Sequence, residues 1–374
     1  MRKEYLYSPG PTTVPPEALS VMGKPIFHHR TKRHRDMFGE ILEGLKYILA
    51  TQNDVLVFAS SGTGAMEGSV CNLLSPGDKV ITVNGGKFGE RFGEICRAYG
   101  ADVDEIMVEW GKAVDPGEIE EHLSDDVKAV YVTLCETSTA VKNDIQSIAG
   151  IVANTPAVIV VDAISGLLCD ELLVDEWKID VAVGGSQKGL MIPPGLAFCS
   201  VSEKAWELVY SSRMPKYYFD FAKTKGSADK ADTPFTPAVT LLCALRETLD
   251  MIRKEGRENL SQLYARLAEA VRAGATALGL RLFSQAPSNA VTAIMVPEGV
   301  DAAGLLSFLR EDLGVTFAGG QEKLKGKIFR ICSMGYTNEF DILTAMSAVE
   351  FALKKVGYQF QPGAGVRAAQ EVLL

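Results

Sequence analysis

The stretch Val158-Ile159-Val160-Val161-Asp162-Ala163 decides how the chain is to be read. Its unbroken apolar, β-branched run predicts a strand buried on both faces, since a half-exposed strand would alternate apolar with polar. The run ends on a carboxylate, and a charge at the tip of a buried strand needs a partner. Alone, Asp162 suits a helix cap, a surface loop or a salt bridge better than a site. The same grammar repeats upstream. Val55 to Ala59, Lys79 to Asn84, Val103 to Val108 and Ala129 to Leu134 read as strands; Gly64 to Leu74, Phe88 to Tyr99, Pro116 to Leu123 and Asp144 to Ala153 read as the helices between them. Repeated strand–helix units predict an α/β fold, with a mainly parallel central sheet and helices on both faces. Two shorter strands, Asp180 to Gly184 and Gly195 to Val201, are expected downstream.

At the outer ends the pattern changes. Ser8-Pro9-Gly10-Pro11 and Pro15-Pro16 predict an extended start, followed by a helix with apolar spacing at Met37, Ile41, Leu45 and Ile48. From Pro237 a long helix runs through Leu241, Leu245 and Leu249, and a second extends to about Leu278. A smaller α+β unit follows, with strands expected at Arg281 to Phe283, Thr292 to Val296 and Lys327 to Cys332 and helices at Ala302 to Leu313 and Asn338 to Lys355. The expected division is an N-terminal arm (1–20), a large domain (21–255) and a small C-terminal domain (256–374).

Composition narrows the function. With 374 residues, 47% of them hydrophobic and 23% charged, the chain can bury a sizeable core and is not a disordered or fibrous sequence. A net charge of -9 offers no general attraction to nucleic acid or an anionic membrane. No apolar run approaches the roughly 20 residues of a membrane span, so a cytoplasmic protein is expected. The 7 cysteines stand singly, without a CxxC pair, and read as reduced, buried small hydrophobes. Only 4 histidines are present, three of them in His28-His29-Arg30-Thr31-Lys32-Arg33-His34, and no metal site is expected. That basic segment reads as a solvated or interface strip, with substrate gating by His29 or Arg30 as the minority reading.

Open α/β sheets bind ligands beyond the carboxyl ends of their strands, which directs the search. Ser60-Ser61-Gly62-Thr63-Gly64 follows one strand and opens a helix, where amide N–H groups and hydroxyls suit a phosphate as well as they suit an ordinary cap. Gly184-Gly185-Ser186-Gln187-Lys188-Gly189-Leu190 places a lysine among small and apolar residues. Desolvation there lowers the pKa of an amine, as imine formation requires. A buried acid, a desolvated lysine and an anion cradle on neighbouring strand ends together fit pyridoxal 5'-phosphate: Lys188 for the Schiff base, Asp162 for the pyridine nitrogen, Ser61, Gly62 and Thr63 for the phosphate. Phe88, in Asn84-Gly85-Gly86-Lys87-Phe88, reads equally as a core aromatic or as a ring stacked on the cofactor.

At these residues the chain resembles the class V aminotransferases of the fold-type-I pyridoxal-phosphate enzymes, most closely the alanine:glyoxylate and serine:pyruvate aminotransferase group. The likeness extends over nearly the whole chain: Pro9-Gly10-Pro11, Ser61-Gly62-Thr63-Gly64, Phe88-Gly89-Glu90-Arg91, Glu136-Thr137-Ser138-Thr139, Val161-Asp162, Gly185-Ser186-Gln187-Lys188, Thr236 ahead of Leu245-Arg246-Glu247, and Arg330-Ile331. The resemblance implies that Lys188 is the cofactor-bearing lysine and Asp162 its pyridinium partner. It places Thr137 and Gln187 near the cofactor, Thr236 at the phosphate of the neighbouring subunit of a homodimer, and Arg330 on the substrate carboxylate. The implied reaction moves the amino group of alanine or serine to glyoxylate or pyruvate by a ping-pong mechanism. Two positions depart from the peroxisomal members, Phe88 for their Trp and Thr233 for their Tyr, which weakens any transfer of substrate preference. The chain also lacks a Ser-Lys-Leu type ending. Other chemistry of the same cofactor stays open, including decarboxylation, aldol cleavage and cysteine desulfuration, although Cys332 lies in an apparent strand rather than a loop. A non-catalytic accessory subunit of a redox assembly is the reading from a different class.

Overall fold

The computed structural model describes residues 3–374. Strand β1 (Tyr5–Leu6) leads to α1 (Pro16–Met22) and α2 (Lys32–Leu49). Alternation then sets in with β2 (Asp54–Phe58), α3 (Gly62–Leu73), β3 (Lys79–Asn84), α4 (Lys87–Ala98), β4 (Asp102–Met107), α5 (Pro116–His122) and β5 (Val127–Thr133). A small ribbon of β6 (Cys135–Glu136) and β7 (Val141–Lys142) precedes α6 (Ile145–Val152), β8 (Val158–Asp162), β9 (Val181–Gly185) and β10 (Ala197–Val201). Helices α7 (Glu203–Ser211), α8 (Phe221–Ala228), α9 (Val239–Glu255) and α10 (Arg257–Ala277) follow. The C-terminal part holds β11 (Val291–Met295), α11 (Ala302–Ser307), β12 (Val315–Thr316), β13 (Ala318–Gly319), β14 (Ile328–Cys332), α12 (Glu339–Lys355) and α13 (Ala364–Leu373).

The central sheet has the order β2-β10-β9-β8-β5-β3-β4, and β10 alone runs antiparallel to its neighbours. Two apolar clusters explain the unbroken hydrophobic runs. Along β8, Ile159 and Val161 join one cluster while Val158 and Val160 join the other, and β2 divides its residues in the same way. Each face therefore needs its own cover of helices, which is the expected α/β layering. Burying each such side chain stabilises the fold by roughly 1.5–3 kcal/mol. A separate antiparallel sheet, β11-β14-β13, forms the C-terminal part, and Gly256 at φ +88° separates α9 from α10.

Three segments differ from expectation. The extended start ends at Pro15, because Pro16 begins α1 in the first-turn position where a missing N–H costs nothing. Arg281 to Phe283 pairs with β11 only through Leu282 opposite Ile294. The helix expected through Leu313 changes at Phe308 to a wider π-type turn that closes on Gly314 at φ +73°. The first residues also do not stand alone: β1 is hydrogen-bonded in parallel to β12, and the Cys332 N–H donates to the Tyr7 carbonyl at 2.9 Å. The N-terminal segment thus adds to the C-terminal part before it reaches the central sheet. No helix among the described residues is long and apolar enough to cross a membrane.

Candidate active site

Strands β8 and β9 end side by side, and their last residues set the site. Asp162 is the terminal residue of β8, registered between Thr133 of β5 and Val183 of β9. Lys188 follows β9 in a loop that Ser186 closes, its hydroxyl donating to the Pro193 carbonyl at 2.8 Å and accepting from the Leu196 N–H at 3.2 Å. The Met191 N–H and the Thr12 hydroxyl both donate to the Lys188 carbonyl, each at 3.0 Å. This fixes the lysine backbone from both sides. Its amine donates to the Pro9 carbonyl, and its stem passes over Gly10, where a Cβ would stand 2.5 Å from Lys188 Cε. At φ +127° Gly10 is also in a conformation that disfavours any side chain.

A cavity of about 270 Å³ opens here, walled by Gly10, Ser61, Gly62, Thr63, Phe88, Asp162, Gln187 and Lys188, and also by Arg91, Ile164 and Ser165. The sequence-predicted cradle, ring, acid, amide and lysine therefore meet. Thr137 and Arg330 sit just behind this wall. The Thr137 hydroxyl donates to Ser165 Oγ at 2.5 Å, and its carbonyl accepts from Arg330 Nη1 at 2.7 Å. Arg330 Nη2 donates to the Gly319 carbonyl at 2.8 Å, so this buried guanidinium is held by carbonyls and, among the described residues, by no carboxylate. Thr236 is not brought to the cavity; it is exposed, beside Phe235 and Thr233 in a separate crevice. Cys332 is buried in β14 with its thiol toward the Met334 carbonyl, an enclosed position rather than the mobile loop that desulfuration wants.

The electrostatics follow from burial. Desolvation is the leading effect at Asp162 and pushes its carboxyl up to about 6, against the Ile164 N–H that Oδ1 accepts at 2.8 Å. Desolvation likewise lowers the Lys188 amine, and it brings Arg330 down to about 10. An amine whose charged form burial disfavours, in one cavity with a carboxyl whose charged form burial also disfavours, suits proton transfer.

Two groups in or next to the wall were not assigned from sequence. Glu136, fully buried, accepts from the N–H groups of Phe88 and Gly89 at 3.0 and 2.9 Å and from the Ser138 hydroxyl at 2.5 Å. It thereby fixes the start of α4 and the ring of Phe88. Arg91, one turn on, reaches Thr63 Oγ1 at 3.2 Å. Their signals were present, an acid after β5 and an arginine three residues from the ring, but neither spacing is diagnostic without the fold.

Comparison with known proteins gives the family. Residues 4–334 match the model described as aminotransferase class-V. The chain is a class V aminotransferase. This class V aminotransferase is 44% identical to the "Soluble hydrogenase, small subunit" of Synechococcus sp., over 99% of this chain and 98% of that one. It is 37% identical to the L-aspartate–glyoxylate aminotransferase of Paracoccus denitrificans, over 98% and 95%. Its fold superposes on the ureidoglycine–glyoxylate aminotransferase of Bacillus subtilis with a TM-score of 0.95 at 29% identity, covering 100% and 98% of the two chains.

Enzymes of this family use pyridoxal phosphate, and the residues of the class V aminotransferase fit that group. Lys188 offers a desolvated amine, Asp162 a buried carboxylate, and Gln187 Oε1 is buried without a hydrogen-bond partner. Helix α3 starts with no side-chain cap from Ser61, leaving its first turn available to an anion.

Proposed function

We propose that this aminotransferase moves the amino group of alanine or serine to glyoxylate or pyruvate, as a cytoplasmic homodimer with ping-pong kinetics. The observation that carries the reading is Arg330, a buried guanidinium with only carbonyl partners behind the cavity of Lys188. A planar two-pronged donor left without an acid suits a substrate carboxylate. About 270 Å³ is small for a site that takes cofactor and substrate together, which favours a small side chain. The Paracoccus and Bacillus relatives are both named as glyoxylate aminotransferases, which supports that acceptor. Exposed Thr236, away from the cavity in its own chain, suits a role toward a second subunit, and the free thiols suit a reducing compartment.

Bound pyridoxal phosphate supplies an aldehyde and a ring that withdraws electrons. Asp162 would keep a proton on the ring nitrogen, and Phe88 would shield the ring from water. Ser61, Gly62, Thr63 and Gln187 hold the phosphate end, with Thr137 behind them. Arg330 orients the amino acid by its carboxylate. Lys188 Nζ would take the α-proton from the amino acid and, in the second half-reaction, give a proton back to the α-carbon of the 2-oxo acid, with the Pro9 carbonyl in reach of the protonated amine between the two events. The donor leaves as a 2-oxo acid before the acceptor enters.

The test is a half-reaction in the absence of any 2-oxo acid. L-alanine or L-serine should change the visible spectrum of the purified protein, and L-aspartate should do so poorly. A response to L-aspartate alone would transfer the donor to the dicarboxylic class. No response to any amino acid, with co-purification of a redox partner, would favour the accessory-subunit reading.

A further inference from the structure

Helix α4 carries three basic residues, and they differ in one respect. Lys87 pairs with Glu90 at 2.7 Å, and Arg97 pairs with Glu105 at 2.8 Å. Arg91 forms no ion pair among the described residues, although Glu90 and Glu94 stand on the same helix; the acid that feels its charge is Asp162, in the wall of the Lys188 cavity. The Arg91 guanidinium lies in that same wall, with its carbon 4.9 Å from the centre of the Phe88 ring. Its one hydrogen bond among the described residues runs from Nη1 to Thr63 Oγ1 at 3.2 Å.

That bond has a direction. A guanidinium can only donate, so the Thr63 hydroxyl must accept from it, and the single hydroxyl proton is left for another acceptor. Thr63 is the second residue of α3, whose N-terminus has no side-chain cap. Gln187, whose amide lies beside Gly185 and Gly62, can donate a hydrogen bond but carries no charge. The cradle of Ser61, Gly62 and Thr63 contains no charge of its own, and a cofactor phosphate brings about two negative charges into a site removed from water. We propose that Arg91 is a positioning residue for the cofactor phosphate: it supplies the cation that the cradle lacks and turns the Thr63 hydroxyl proton toward the anion. The Phe88 ring beneath the guanidinium limits the rotamers it must give up.

This inference rests on the pyridoxal-phosphate reading, and the experiment separates the two. The full-length cofactor-free protein, its Arg91→Gln and Arg91→Lys variants are titrated with pyridoxal 5'-phosphate and, separately, with pyridoxal, which lacks the phosphate; binding is read by equilibrium dialysis and the fold by thermal melting. Arg91→Gln should weaken pyridoxal 5'-phosphate about tenfold or more while changing pyridoxal less than about twofold, and Arg91→Lys should restore part of the loss. Equal weakening of both ligands would overturn the proposal and assign Arg91 to holding Phe88. Unchanged cofactor affinity with a raised KM for a dicarboxylic amino acid would overturn it in favour of a substrate role. If Arg91→Gln does not fold, Arg91→Lys decides: a loss for pyridoxal 5'-phosphate larger than that for pyridoxal supports the proposal, and equal values overturn it. A wild-type protein that binds neither ligand would sink the cofactor reading itself.

Discussion

Asp162 illustrates what one buried carboxylate costs and supplies. Its folded value, about 6, lies above its ordinary 3.8, so the folded cofactor-free chain binds this proton more tightly than the unfolded chain does. The sign is then fixed: stability is full below pH 4 and is lost as pH rises through 6. Replacing it by Asn removes that loss. Cofactor-free Asp162→Asn should therefore be more stable than the wild type at pH 7 by roughly 1–3 kcal/mol, with the difference vanishing near pH 4, as denaturant melts at the two pH values would show. The same variant should release its cofactor faster and turn over far more slowly, since an amide cannot keep a ring nitrogen protonated. Gly10 makes the opposite case, a residue whose lack of a side chain matters. Gly10→Ala puts a methyl group 2.5 Å from Lys188 Cε at a backbone angle of +127°. It should leave the melting temperature within a few degrees while cutting turnover about a hundredfold or more, because the amine is displaced from its working position. Retained turnover would mean that the loop yields without moving the lysine.

At the scale of the element, α4 depends on a residue outside it. Glu136 meets the free N–H groups of Phe88 and Gly89, and Gly89 itself has no room for a side chain, since a Cβ would stand 2.2 Å from the Val83 carbonyl oxygen. Glu136→Ala should destabilise the protein by about 1–3 kcal/mol and loosen cofactor retention by freeing Phe88, whereas Glu136→Gln should recover much of the first loss. The elements also show what sequence reveals. Strands β2, β3, β5, β8 and β9 and helices α2 to α6 were legible because long apolar runs alternate with helical spacing. Strands β6, β7, β12 and β13 span two residues each and have no period to detect. Helices α7, α8 and α13 span only 8 to 10 residues, too few turns for their apolar spacing to stand out, although Ser202, Asp220 and Gly363 mark their starts. The antiparallel sense of β10 is a property of its neighbours rather than of Ala197 to Val201. In the site, Asp162 and Lys188 were legible as anomalies, polar groups where apolar ones belong. Glu136 and Arg91 were not, since an acid or an arginine in a polar stretch is ordinary until the fold shows what surrounds it.

For the whole molecule the proposed assembly makes a strong prediction. If Thr236 serves the neighbouring subunit, Lys188→Ala and Thr236→Val chains are each impaired alone, and a mixed dimer regenerates one site with both residues intact. Co-refolding the two variants should recover a substantial fraction of wild-type turnover, at the sedimentation coefficient of a dimer; no recovery in a verified hybrid would confine each site to one chain. The path of the N-terminal segment has a mechanical consequence as well. Cys332 and Tyr7 share a hydrogen bond, Arg330 lies two residues to one side of it and Pro9 two residues to the other. One hydrogen bond and two residues therefore connect β14 to Pro9, whose carbonyl accepts from the lysine nitrogen. If Arg330 takes a substrate carboxylate as proposed, guanidinium and amine are joined by a linkage a few bonds long that bypasses the central sheet.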